Sequence, residues 1–184
     1  MDCSSRAKRW LTMGAGMVVA MCGCTSAAKV LPPLQTVAQV DLQRYAGTWY
    51  EIASYPHRFQ KGCVATRAVY ELQRDGSVGV VNECRQETLD GPLKSVKGKA
   101  RVVDRQTNAR LEVSFFWPFW GDYWIIDLDP DYQWAVIGHP SRSYLWILSR
   151  SRTLDENVFQ QILSRLPAQG YDPARLRRTL QPAR

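Results

Sequence analysis

Few side chains in this sequence suit covalent or metal chemistry. The 184 residues include two histidines, His57 and His139. Neither has the His-x₃-His spacing, nor is there the paired Cys-x-x-Cys spacing, that sets ligands around one metal. His139 precedes Pro140 and reads as a turn residue. No nucleophile elbow, phosphate loop or zinc-protease motif occurs. Glu51 stands alone, and a lone carboxylate suits a structural hydrogen bond, or a ligand headgroup, better than general-base work. Cys63 and Cys84 are too far apart in sequence for a redox pair. The expectation is a protein that is not an enzyme, with no catalytic residue, no metal and no cofactor. What the sequence has instead is ring surface. In Ser114–Trp124, SFFWPFWGDYW, seven of eleven residues are aromatic: Phe115, Phe116, Trp117, Phe119, Trp120, Tyr123 and Trp124. That surface belongs in a core, in a ligand cavity or against a membrane.

The length suffices for one domain with a real core, and 45% hydrophobic content marks a globular chain. The formal net charge is +7. Without the first 23 residues, which hold Arg6, Lys8, Arg9 and Asp2, it is +5. The remaining charge is scattered apart from Arg175, Arg177, Arg178 and Arg184. This is a solvated basic surface with weak attraction for anionic lipid headgroups, and no nucleic-acid partner is expected.

Short strand-like runs punctuated by turn residues follow one another from Gly47. They are 47–55, 64–72, 78–84, 93–103, 110–117, 123–128, 133–138 and 144–150. Asp75-Gly76 between the second and third is a hairpin signal, and Asp129-Pro130-Asp131 marks another turn. Eight evenly spaced strands with no intervening helix predict an all-β, antiparallel up-and-down barrel. One helix follows. Thr153 to Glu156 fits a capping box, and Leu154, Val158, Phe159, Ile162, Leu163 and Leu166 form an apolar stripe for the outside of the barrel. Gly170 and Pro173 end that region.

The N-terminus reads as an address. A basic region precedes a 14-residue apolar run, WLTMGAGMVVAMCG, which suits a signal peptide rather than a bilayer span. The run ends in Met21-Cys22-Gly23-Cys24 and resembles the lipobox of bacterial lipoproteins. Met21 and Cys22 depart from the commonest form. The resemblance implies a signal peptide over 1–23 and acylation of Cys24, with chains such as palmitate as a stable anchor. Residues 24–40 then form the tether and 41–184 the domain. Thr25, rather than Asp, implies the outer membrane, facing the periplasm. In that oxidising compartment Cys63 and Cys84 are the pair left for a disulfide. Simple hairpin register does not set them opposite, and bridging needs Cα atoms within about 7 Å, so Cys63 is expected in a loop that folds back.

Three separated motifs coincide: Gly47-Thr48-Trp49 on the first strand, GDYWIIDLDPDYQWAVIG over 121–138, and YLWILSR over 144–150. Together they resemble the lipocalin family, over about residues 41–181. Within it they resemble the bacterial outer-membrane lipoproteins, related to apolipoprotein D and the plant temperature-induced lipocalins. The resemblance implies that Trp49 closes the barrel floor with Arg150 across its ring, Gly47 allowing the close approach. It also implies an inward, ligand-binding set: Ala68, Tyr70, Val80, Asn82, Val113, Phe115, Tyr123, Ile137 and Trp146. Phe116 and Trp124 fall on the outer face, and Trp117, Phe119 and Trp120 on the rim, where they would serve a membrane or a homodimer contact. The implied function is binding of fatty acids or lysophospholipids for storage or transport in envelope maintenance. A tethered partner-binding lipoprotein with a filled barrel is the alternative.

Overall fold

The computed structural model describes residues 31–183. The signal peptide and Cys24 lie outside the described residues. Eight antiparallel strands close into a barrel: β1 (Gly47–Ser54), β2 (Cys63–Leu72), β3 (Val78–Gln86), β4 (Leu93–Val102), β5 (Arg110–Phe116), β6 (Phe119–Leu128), β7 (Trp134–Gly138) and β8 (Leu145–Ser149). Each pairs with the next, and β1 closes the ring by pairing with both β8 and β2. A short helix α1 (Leu42–Tyr45) precedes β1, and α2 (Glu156–Arg165) follows β8.

Alternation along the strands sorts the apolar side chains into two cores. One fills the barrel, with Trp49, Tyr70, Val80, Leu111, Ile125, Ile137 and Leu148. The other lies outside, where Phe159, Ile162 and Leu166 from α2 and the turn after it pack on Ile126, Val136, Leu145 and Ile147. Trp124 joins this outer core, beneath the Arg110 guanidinium at 4.5 Å.

At the floor, the Arg150 guanidinium lies 3.9 Å from the Trp49 ring centre. It donates to the carbonyls of Thr48, Arg44 and Tyr132. The Trp49 indole N–H donates to the Tyr45 carbonyl at 2.8 Å. Gly47 has a positive φ of 96°, and a Cβ there would come within 3.3 Å of the Arg150 guanidinium. The position therefore requires glycine on both counts.

Three expectations change here. The cap of α2 is Asp155, whose carboxylate accepts from the amides of Asn157 and Val158. Thr153 lies before the helix, and the Glu156 carboxylate binds Gln160 and Arg178 instead. Residues 31–40, expected as tether, pack onto the barrel, with Leu34 and Val40 buried. Cys63 lies in β2 rather than in a loop: a one-residue register shift between Val64 and Arg67 brings its Cα within 5.4 Å of the Cα of Cys84, and the two are bridged. The sequence reading also missed the C-terminus. Arg177–Arg178 forms β9, paired with Ala53 and Ser54 of β1. Beyond it, Thr179 donates to the Ile52 carbonyl, Leu180 accepts from the Ala65 amide, and Gln181 donates to the carbonyls of Glu51 and Thr66. Ladder pairing between β1 and β2 ends at Tyr50 and Arg67; this segment fills the gap above.

Trp49→Ala removes the largest side chain of the floor and leaves Arg150 without its ring. The expected loss is about 3–5 kcal/mol of unfolding free energy, read as a lower urea midpoint with unchanged steepness.

Candidate ligand site

Connections alternate between the two ends of the barrel, so those after β1, β3, β5 and β7 surround the mouth. The inner face changes character between floor and mouth. Trp49, Ile125 and Ile137 have no exposure, and Ala68, Tyr70 and Val80 are also buried. Val113, Phe115, Tyr123 and Trp146 pack against the same core yet are only half-buried. Tyr123 is packed against the core and still keeps accessible surface.

All nine residues of the inward set therefore lie on the barrel's inner face. Asn82 pairs with Ala68 across β2 and β3, and side chains directly opposite share a face. Ile137 has no accessible surface and serves as packing. One contributor was not foreseen. A Cβ at Gly98 would lie 2.6 Å from both the Phe115 ring and the Ser114 carbonyl oxygen, so this glycine lets Phe115 lie flat across β4. The signal available was a glycine inside a strand, which marks close approach of another chain segment.

Three phenols meet inside the barrel. Tyr123 Oη lies 2.7 Å from Tyr45 Oη and 3.0 Å from Tyr70 Oη. Burial pushes Tyr70 up to about 12, against the opposing effect of its bond to Tyr123. Burial likewise raises Tyr45 and Tyr123 well above the ordinary tyrosine value.

The mouth is polar and aromatic together. Glu51 is 5% exposed. Its carboxylate accepts from Ser54 Oγ at 3.0 Å, from Gln60 Nε2 at 2.8 Å and from the Thr179 hydroxyl. Gln60 Oε1 in turn accepts from the Trp146 indole at 3.3 Å. His57 packs against Trp146 and Tyr144, at 5.4 and 5.9 Å between ring centres, with both ring nitrogens buried and unpartnered. Burial lowers its pKa, with the Glu51 charge opposing. His139 is held apart by Ser141 Oγ at 2.8 Å.

The aromatic stretch divides. Phe115 and Tyr123 point inward, while Trp117, Phe116 and Phe119 are exposed at the tip of the β5–β6 hairpin, Trp117 by 82%. Trp120, expected on the rim, is instead half-buried on the outer face under Arg101, 4.3 Å from its ring centre. The cause is a tighter turn at Trp117-Pro118, so that β6 begins at Phe119 rather than Tyr123 and alternation reaches Trp120. A separate groove of about 520 Å³ lies at the other end, between Gln73, Asp75 and Lys99. Its charged turn residues offer an apolar ligand little, and the ring-lined interior fits one better.

Eight antiparallel strands, a tryptophan floor under a terminal arginine and a cup open at one end define a class, and comparison with known proteins agrees. Residues 40–181 match the family model described as a lipocalin-like domain; the chain belongs to the lipocalin family. It is 42% identical over 157 residues to temperature-induced lipocalin-1 of Arabidopsis thaliana, covering 80% of this chain and 83% of that protein. It is 40% identical over 153 residues to the outer membrane lipoprotein Blc of Escherichia coli K12, covering 82% and 86%. The solved structure of insecticyanin from the tobacco hornworm Manduca sexta superposes with a TM-score of 0.65 at 20% identity, covering 82% and 85%, which speaks to the fold alone. None of these names is that of an enzyme.

The raised tyrosines give the fold an alkaline limit. An unfolded tyrosine ionises near pH 10 and Tyr70 in the fold at about 12. Its stabilising contribution is complete below about pH 10 and is lost as pH rises toward about 12, at about 1.4 kcal/mol per pH unit. Urea titrations between about pH 9 and 12 will show this decline, and Tyr70→Phe will make it shallower, with Tyr45 and Tyr123 still contributing.

Proposed function

We propose that this protein is a lipocalin anchored to the outer membrane through Cys24, binding fatty acids or lysophospholipids and carrying them for envelope maintenance, without an enzymatic step. The observation that carries the reading is that Val113, Phe115, Tyr123 and Trp146, packed on the inner face, are only partly buried. An acyl chain lying there contributes about 25 cal/mol per Å² of buried apolar area before the costs of binding. The ligand set is the inward nine, with Ile137, Val80 and Tyr70 as the packed base beneath the chain. The lipoprotein name of the bacterial relative and the lipobox-like Gly23-Cys24 support the anchor and the location.

The path of the chain favours a mouth turned to the bilayer. Arg142, in the connection after β7, donates to the Pro32 carbonyl, so the described chain enters at the mouth end. Six residues separate Leu31 from Cys24 in the sequence, a reach of at most about 25 Å. The exposed Phe59, Phe116, Trp117 and Phe119 ring the same end, and aromatic side chains favour the membrane interface.

Native mass spectrometry of the gently purified protein is expected to show a co-purified acyl lipid or saturable one-to-one binding of lysophospholipid. Trp146→Ala is expected to weaken that binding about tenfold or more, as one buried aromatic contact is lost. A folded protein that takes up no acyl lipid overturns the reading in favour of a partner-binding barrel. Replacing Trp117 and Phe119 together by Ser is expected to lower co-sedimentation of the unacylated protein with phospholipid vesicles while leaving one-to-one lipid binding intact. If the vesicle-bound fraction stays the same, the rim does not meet the membrane.

A further inference from the structure

The phenol cluster has one proton too many. Tyr45, Tyr70 and Tyr123 carry three hydroxyl hydrogens and share two hydrogen bonds, both centred on Tyr123 Oη. The three hydroxyls make no other hydrogen bond among the described residues, so one donor is unmatched. Burial decides which. Tyr45 and Tyr70 are sealed within the apolar core, at 4% and 8% exposure, where an unpaired donor loses its water and gains nothing. Tyr123 alone of the three is only half-buried. The favourable arrangement has Tyr45 and Tyr70 both donating to Tyr123, whose own hydrogen is directed into the cup. Two bonds accepted by one hydroxyl polarise it and strengthen it as a donor.

The same wall carries an unmatched acceptor. Asn82 Oδ1 is buried with no partner. It sits one pair nearer the mouth than the phenols, since Tyr70 faces Val80 and Ala68 faces Asn82 along the β2–β3 ladder. A cup built for a plain alkyl end would have apolar groups in these places, because buried polar groups in folded proteins are matched.

We propose that the inner end of the cup is a subsite for an oxygen function of the ligand, a hydroxyl or carboxyl that accepts a hydrogen bond from Tyr123 Oη. The proposal rests on the cup being a lipid site and adds what the buried end of the lipid must carry. Two sources have this chemistry: an acyl chain oxygenated at its far end with the headgroup outside, and a fatty acid that enters carboxyl first.

Three probes separate them: a lysophosphatidylcholine with a dodecanoyl chain, the same molecule with a hydroxyl at the chain terminus, and dodecanoic acid. Affinities are read by tryptophan fluorescence on the wild type, Tyr123→Phe and Tyr70→Phe, with near-ultraviolet circular dichroism as the check on folding. The terminal hydroxyl is expected to tighten binding about fivefold in the wild type, the worth of one neutral hydrogen bond. Tyr123→Phe removes that gain, read as the ratio of the two lysophospholipid affinities within each variant. Tyr70→Phe keeps most of the gain, because Tyr45 still donates to Tyr123 and the presented hydrogen remains. If dodecanoic acid is the probe that Tyr123→Phe weakens, the acid enters carboxyl first and the subsite stands. Equal affinities for the two lysophospholipids, with dodecanoic acid unmoved by Tyr123→Phe, would overturn the subsite while leaving the lipid site intact. Failure of all three probes to bind would remove both.

Discussion

The floor contact between Arg150 and Trp49 is what the rest of the barrel depends on. A closed sheet of eight short strands has no natural bottom, and the chain supplies one by folding α1 beneath it. The Arg150 guanidinium ties this floor together, because its N–H groups reach carbonyls on three separate segments, at Arg44, Thr48 and Tyr132. Its flat face covers the indole at the same time. Lysine could not do this, having neither the planar fork nor the flat face. Burial lowers the Arg150 pKa, yet a guanidinium stays charged at any physiological pH. The pin therefore holds across the whole range in which the protein lives.

Sealing one end frees the other. With Trp49, Ile125 and Ile137 fully enclosed, the stability of the domain is concentrated in the lower barrel and in the outer core under α2. The upper wall can then leave apolar surface uncovered without the fold collapsing. Gly98 serves the same division, since it lets one large ring lie against the wall instead of plugging the opening. The Glu51, Gln60 and Trp146 chain of hydrogen bonds stiffens the mouth without filling it.

Much of this was legible in the sequence because it is periodic. Alternation assigned Tyr123 inward and Trp124 outward, and both faces follow. The stripe from Leu154 to Leu166 announced the outer helix in the same way. What escaped was set by partners far along the chain. The pairing of Cys63 with Cys84 depends on one bulge near Ala65, which has a positive φ of 49°, and nothing in an Ala-Thr-Arg run signals it. The cap moved from Thr153 to Asp155 because both residues have capping side chains and only packing chooses between them. Trp120 was misplaced by the length of one turn. The phenol cluster could not be read at all, since Tyr45, Tyr70 and Tyr123 come together only when the floor, β2 and β6 meet.

Residues 179–181 form part of the wall. Gln181 reaches the carbonyls of Glu51 and Thr66 across 130 and 115 positions of sequence, and Thr179 also supplies a hydroxyl to the Glu51 carboxylate. Contacts of such separation are the slowest to form. A chain emerging from its N-terminus can build the hairpins in order, yet the seam between β1 and β2 waits for residues 179–181. Until that segment arrives, the barrel is a slit cylinder whose unsatisfied edges are still open to other strands.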